Sequence, residues 1–343
     1  MKALVLTQAS HLEYRDVATP AIGPDEVLVN VRACGICGSD IHGMDGSSGR
    51  RIPPVIMGHE AAGSVISVGP DVVGWQPGDR VTFDSTIYCG TCWFCQQELI
   101  NLCDRRRVLG VSCTDYRRDG AFAEYVAVPQ HVLYRLPAEV DFIDAAMTEP
   151  LSVALHAVRQ AAIGPGIGVA VIGTGIIGLL ICEVLRASGC DHVLAVDKDP
   201  GRLDLAVRLG ASGSVVADGP ETAARIRECF EGRGPDVVFE AVGIDPTVGL
   251  ASEAVRKGGT IVLVGNLAPS VSLPLQSIVT RQITMRGSAA SSGEYPACLE
   301  MIAERSVDVR ALISAVAPLQ DGAEWFGRLR RGDGQLLKVV LEP

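Results

Sequence analysis

Basic residues are in short supply in this chain: 30 lysines and arginines stand against 40 aspartates and glutamates, a formal net charge of -10. Nucleic acid and anionic membrane surfaces, both polyanions, would repel such a protein and are set aside as main partners. Long apolar runs are also lacking. The richest stretch, Val169 to Leu185, is broken by three glycines, Thr174 and Glu183, whereas a membrane helix needs about 18 or more apolar residues in a row. The opening MKALVLTQAS carries one lysine and turns polar before a signal-peptide core could form, so a soluble, cytoplasmic protein is expected. Neither an internal repeat nor a low-complexity tract occurs. Aromatic residues make up only 5%, but with 48% apolar residues a chain of 343 is long enough for two cores, since single cores stop growing near roughly 250 to 300 residues.

Cysteine is present in a telling pattern. There are eleven, an odd number, and in a long enzyme of a reducing compartment tight cysteine spacing points to metal rather than to disulfides. Cys89, Cys92, Cys95 and Cys103 follow the spacing C-x2-C-x2-C-x7-C, close enough for one lobe to wrap a tetrahedral ion. Four thiolates with no open position are the mark of structural zinc. Reduced, unliganded thiols and an iron-sulfur site are the alternatives.

The texture of the sequence changes near residue 150. Before it, V27-L-V-N-V-R-A33 alternates apolar and polar, and G63-S-V-I-S-V-G69 and A121-F-A-E-Y-V-A-V128 are short β-rich runs, a pattern for an antiparallel, barrel-like unit. From about 151 to 288 strands and helices alternate. Strands are expected at Gly168 to Ile172, His192 to Val196, Asp236 to Glu240, Thr260 to Val264 and Gln282 to Met285, with helices such as Arg202 to Leu209 and Glu221 to Phe230 between them, which predicts βαβ units on a parallel sheet. A helix-like segment, 294 to 303, and a last strand, Gln335 to Leu341, follow; that strand is expected to return to the first unit.

Within the alternating region, G173-T-G-I-I-G178 closes a strand and opens a helix. Gly173 permits the tight turn, Gly175 lets the backbone approach a pyrophosphate, and Gly178 lets helix and strand pack closely, while the helix N-terminus presents free N–H groups to the phosphates. The expected dinucleotide set is Gly173, Gly175, Ile177, Gly178, Asp197, Arg202, Val264 and Gly265. Asp197 ends the next strand about twenty residues on; a carboxylate there accepts from the adenosine ribose hydroxyls and repels a 2′-phosphate, favouring NAD over NADP. Lys198 and Arg202 are the cations that keep NADP in consideration.

Three further stretches carry a second set of donors: C34-G-I-C37-G-S-D-I-H42, G58-H-E60, and the tripeptide Thr148, Glu149 and Pro150. One thiolate, one imidazole and carboxylates are first-row metal ligands, and ligands this far apart in sequence suit a catalytic site assembled by the fold. Together with G78-D-R80, the four-cysteine lobe, E149-P-L-S152 and the glycine motif, these segments resemble the zinc-dependent medium-chain dehydrogenases, in the sorbitol, polyol and threonine dehydrogenase branch. The resemblance runs over essentially the whole chain. It implies an α/β architecture: a Rossmann doubly wound parallel-sheet domain over 151–288, and a GroES-like, mostly antiparallel β-barrel catalytic domain over 1–150 completed by 289–343. It further implies that Cys37, His59 and Glu60 bind a catalytic zinc, that Glu149 is a fourth ligand or holds the zinc-bound water, and that Ser39 and His42 relay the hydroxyl proton. With the lobe, the count is two zinc ions per chain. A small-molecule alcohol or polyol would be the substrate, NAD the hydride carrier, and a homo-oligomer, dimer or tetramer, the assembly. A threonine dehydrogenase or sugar-phosphate (galactitol-1-phosphate-like) activity and a non-catalytic nucleotide-binding relative are the competing implications.

The loop from Gly43 to Pro54 is expected to line the substrate mouth. Its Arg50 and Arg51, like Arg105 to Arg107, Arg117 and Arg118, read first as solvated charges or subunit contacts and second as an anion subsite. Past the last parallel strand the chain offers the small run G287-S-A-A-S-S-G293, and Tyr116, Phe122 and Trp93 are expected to pack rather than line a pocket.

Overall fold

The computed structural model describes residues 1–113, 116–333 and 336–343. The chain divides into two compact units, one of Met1–Glu149, Tyr295–Arg305 and Val309–Pro343, the other of Pro150–Glu294 and Ser306–Asp308.

In the first unit the strand Glu26–Gly35 is the organising element. Its apolar alternation buries Val27, Val29 and Val31, and it pairs antiparallel with Glu60–Val68, Tyr125–Pro129 and Lys338–Glu342. The seven-stranded sheet continues through Arg80–Phe83 to Leu133–Arg135 on one side and ends in Ile313–Pro318 on the other; only that last pairing, with Lys338–Glu342, is parallel. A small sheet of Lys2–Gln8, His11–Asp16 and Val55–Ile56 packs with it around a core in which Phe122 and Phe326 meet edge to face at 5.6 Å. The final strand begins at Lys338, and Gln335 lies outside the described residues.

The second unit is a six-stranded, all-parallel sheet in the order Gly213–Val216, His192–Asp197, Gly168–Ile172, Val237–Glu240, Thr260–Leu263, Thr284–Gly287. Every residue of Gly168–Ile172 is buried, as a central strand with helices on both faces requires. The order reverses at this strand, the topological switch point where open α/β sheets bind ligands. Several ends differ from the sequence reading by one or two residues. Asp236 immediately precedes its strand, and its carboxylate accepts from the Gly168 N–H and the Arg256 guanidinium. The last strand starts at Thr284 rather than Gln282, whose φ of +53° turns the chain. The helix expected from Arg202 begins at Pro200, since the Asp199 carboxylate caps it by accepting from the Gly201 and Arg202 N–H groups.

Among the described residues no helix is long and apolar enough to cross a membrane. Glu183, in the helix Ile176–Ala187, is fully buried; one oxygen accepts the Asp308 N–H and the other has no hydrogen-bond partner among the described residues. Burial pushes its carboxyl up from 4.5 to about 7. Across that window the folded protein holds a proton that the unfolded chain has released, so this group subtracts stability as pH rises. Glu183→Gln, which can still accept from Asp308, is therefore expected to stabilise the protein by about 2 kcal/mol more at pH 8 than at pH 5. Thermal melts of both proteins at the two pH values test this; a difference that does not change with pH rules it out.

Candidate metal and dinucleotide sites

Cys37 caps the short helix Gly38–Gly43. Its sulfur accepts from the Ser39 N–H at 3.4 Å and the Ser39 hydroxyl at 3.3 Å, and its own N–H donates to Asp40 Oδ2 at 3.4 Å. His59 and Glu60 follow Gly58, whose φ is +92° and where a Cβ would lie 2.8 Å from the Phe122 nitrogen, so only glycine fits the turn that aims them. In register opposite Glu60 is Gly35, and a Cβ there would come within 2.3 Å of Glu60 Oε2. Backbone sterics thus hold open the space the carboxylate fills.

The result is a convergence of one sulfur, one ring nitrogen and one carboxylate oxygen from Cys37, His59 and Glu60, all within 4.8 Å of one another. Glu60 and His59 are buried and Cys37 is partly so. Mixed N, O and S donors at this separation fit a first-row dication with room for a further ligand. His59 Nδ1, buried and without a hydrogen-bond partner among the described residues, stands 3.4 Å from Asp40 Oδ1. Although burial opposes a charge on His59, the adjacent Asp40 and Cys37 raise its pKa well above the usual imidazole value. Asp40 is driven the other way: burial would raise it, but His59 and Arg51 hold it well below the ordinary carboxylate range.

Glu149 is not one of the atoms that converge within that distance. It is partly exposed, and desolvation pushes its carboxyl up to about 7, against the pull of His59 and with the push of Glu60. Ser39 is exposed with its hydroxyl on the Cys37 sulfur, and His42 is exposed on the last helical turn.

Three participants were not legible as such in the sequence. Lys338, from the last strand, is 3% exposed and donates to both oxygens of Glu60, at 2.8 and 2.6 Å, and to the Ile36 carbonyl at 3.0 Å. Asp40 had a signal, the N-cap plus N3 pattern of Cys37 and Asp40. Arg51 is a correction: it is 4% exposed and donates to Asp40 at 2.9 Å, so it is neither solvated nor open to substrate. Arg118 likewise is engaged, with Glu26 and the Ala127 carbonyl. Phe122 packs in the core as expected, whereas Trp93 is 63% exposed.

Cys89, Cys92, Cys95 and Cys103 also bring their sulfurs within 4.8 Å of one another, with 4.0 Å from Cys89 to Cys95 and 3.5 Å from Cys92 to Cys95. A tetrahedral ion with Zn–S bonds of about 2.3 Å separates its thiolates by about 3.8 Å, so these donors fit one. Backbone N–H groups, that of Thr91 foremost, draw Cys89 down to about 5, toward the thiolate that a metal needs. Only Cys103 of the four is buried, so the lobe has little apolar packing of its own.

In the second unit, Gly173 adopts φ +92°, and a Cβ on Gly178 would lie 1.8 Å from the Gly173 carbonyl oxygen. Gly175, the helix N-cap, is different: a Cβ there would meet nothing within 4 Å, leaving open space above the free N–H groups of the helix start. Ile177 is half-buried beside it. Asp197 accepts from the Thr174 N–H at 2.7 Å and the Asp199 N–H at 3.0 Å, which fixes its carboxylate at the strand end while leaving lone pairs for further donors. Arg202 lies 4.0 Å from Asp199. Val264 and Gly265 both donate to the Glu240 carbonyl, and Gly265 abuts Val242 and Gly243 so closely that no Cβ fits. Glu240 itself, unremarked in the sequence, is buried and gathers the Val242 and Gly243 N–H groups.

Residues 23–138 match the family described as alcohol dehydrogenase GroES-like domain, and residues 177–304 the family described as zinc-binding dehydrogenase. D-xylulose reductase A of Aspergillus niger is 36% identical over 341 residues, 97% of this chain and 94% of that protein. Among solved structures, a protein of Sinorhizobium meliloti described as a zinc-binding dehydrogenase and bound to NADP superposes with a TM-score of 0.91 at 32% identity, over 100% of this chain and 99% of the other. Galactitol-1-phosphate dehydrogenase of Escherichia coli gives a TM-score of 0.91 at 28% identity, over 100% of each chain.

Proposed function

This chain belongs to the zinc-containing medium-chain dehydrogenases, and from that premise we propose that it interconverts a secondary alcohol of a polyol or sugar derivative with its ketone, using NAD. The observation that carries the reading is the convergence of Cys37, His59 and Glu60 within 4.8 Å in one unit. The likeness to a D-xylulose reductase supports a polyol substrate. In this reading those three residues hold a catalytic zinc with Glu149 beside it, and the four cysteines hold a second, structural zinc. A zinc ion bound there would supply the Lewis acidity that lowers the pKa of an alcohol, and NAD would accept the hydride.

The chain's own residues do the rest. In a relay the Ser39 oxygen accepts the substrate's hydroxyl proton as its own proton, which now points to the Cys37 sulfur, swings away and passes toward His42, whose exposed ring can release it to solvent. Asp40 orients His59 by facing Nδ1, which leaves Nε2 for the metal. Lys338 balances Glu60. Gly175 leaves the pyrophosphate its approach to the helix N-terminus, and Asp197 takes the ribose hydroxyls.

A panel of polyols, their phosphates and hydroxy amino acids, followed by NADH absorbance, tests the reading; turnover of a polyol is expected, and no turnover of any secondary alcohol would refute it. For the cofactor, Asp197→Ala is expected to weaken NAD about tenfold or more while leaving NADP unchanged or improved, since it removes an acceptor for one and a repulsion for the other. Equal losses in the two affinities, measured by fluorescence titration, would place the carboxylate away from the ribose.

A further inference from the structure

We infer that Arg51 is a positioning residue for the metal site, acting on His59 through Asp40. The inference rests on the reading of Cys37 and His59 as metal donors. Arg51 lies in the loop between the helix Gly38–Gly43 and the strand Val55–Ile56, where an arginine would ordinarily reach for water; its side chain is instead 5% exposed. One of its donors, Nη2, is 2.9 Å from Asp40 Oδ1, and that same oxygen is 3.4 Å from His59 Nδ1. The second, Nη1, is tied to the Arg50 carbonyl at 3.2 Å, and Nε is buried with no partner among the described residues. A buried guanidinium whose Nε is left unmatched is kept there by what its Nη1 and Nη2 donors do.

Asp40 is the hub of this arrangement. Its Oδ2 accepts the N–H of Cys37, and its Oδ1 faces His59, so a single carboxylate sets the backbone of one proposed donor and the ring of another. The Arg51 N–H on Oδ1 and the Cys37 N–H on Oδ2 together fix the rotation of this carboxylate about its Cβ–Cγ bond, and the arginine contact is charge-assisted. The helix is shaped around the arginine stem: at Gly43 a Cβ would come within 2.9 Å of Arg51 Cγ. Remote partners of this kind typically change metal affinity by about 10 to 100-fold when lost.

The test uses the full-length protein with cobalt(II) in place of zinc at the three-donor site and zinc in the four-cysteine lobe as internal reference. Arg51→Gln is expected to shift the cobalt d–d bands and to speed metal loss to a chelator about 10 to 100-fold, with NADH binding and lobe zinc unchanged. Arg51→Lys, which keeps the cation, is expected to recover part of the wild-type spectrum, a rescue that a purely structural role in the loop would not produce. Gly43→Ala, which pushes on Arg51 while leaving its charge, is expected to move the bands in the same direction by less, and it decides the matter if Arg51→Gln does not fold. Bands and metal loss within twofold of wild type in Gly43→Ala, and in Arg51→Gln where it folds, overturn the inference. Wild-type protein that takes up no metal at Cys37 and His59 overturns instead the reading beneath it.

Discussion

Cys37→Ser is expected to lower turnover by about a thousandfold or more and to reduce bound zinc from about two ions per chain to about one, while NAD binding persists. The residues proposed for NAD lie in a compact unit of their own, 150–294 with 306–308, so loss of the thiolate does not reach them. A hydroxyl in place of the sulfur keeps the helix cap, because serine is itself a good N-cap residue, and so the helix Gly38–Gly43 survives the change. What is lost is the soft, anionic donor. Metal analysis and NADH fluorescence on the same preparation separate the effects. Unchanged zinc in the variant would show that Cys37 is not a ligand.

The second large effect concerns Lys338. All three of its ammonium donors are engaged, two on Glu60 and one on the Ile36 carbonyl, and both charges are buried. Removing one member of such a pair leaves a naked buried charge and costs about 3–5 kcal/mol, far more than an exposed ion pair is worth. Lys338→Met keeps an apolar stem one atom shorter and removes the charge together with its three hydrogen bonds. In metal-free protein it is expected to destabilise by about that amount. In zinc-loaded protein the loss should be smaller by about half or more if the carboxylate of Glu60 has the metal as a second counter-charge. Thermal melts with and without zinc read both quantities. A cost below about 1 kcal/mol in the metal-free protein would mean the ion pair is not what it looks like, and equal costs in the two states would remove Glu60 from the ligand set.

Signals that act over a few residues were readable from the sequence. The glycine turn at Gly173, the four-cysteine spacing and the alternation of Glu26–Gly35 each depend on neighbours in the chain, and their placement in the fold follows from local sterics and periodicity. Pairings across hundreds of residues were not. Glu60 and Lys338 are 278 positions apart, and their meeting depends on two sheet registers, Gly35 against Glu60 and Gly35 against Val340, that no periodicity encodes. Arg51 was misread although its partner is only 11 positions away. Composition treats an arginine in a loop as solvated, and only the buried Asp40 makes it otherwise.

The first unit is discontinuous: the segment that forms the second unit is inserted between residues 149 and 295, and Lys338 arrives on the last strand of the chain. During synthesis, therefore, His59 and Glu60 emerge early, and the parallel-sheet unit can fold completely before the partner of Glu60 has been made. Until then a carboxylate destined for burial has no cation to accompany it. The order of the chain thus makes the surroundings of Glu60 the last part of the first unit to be completed, and a chain cut before Lys338 would have a folded parallel-sheet unit and a Glu60 without its counter-charge.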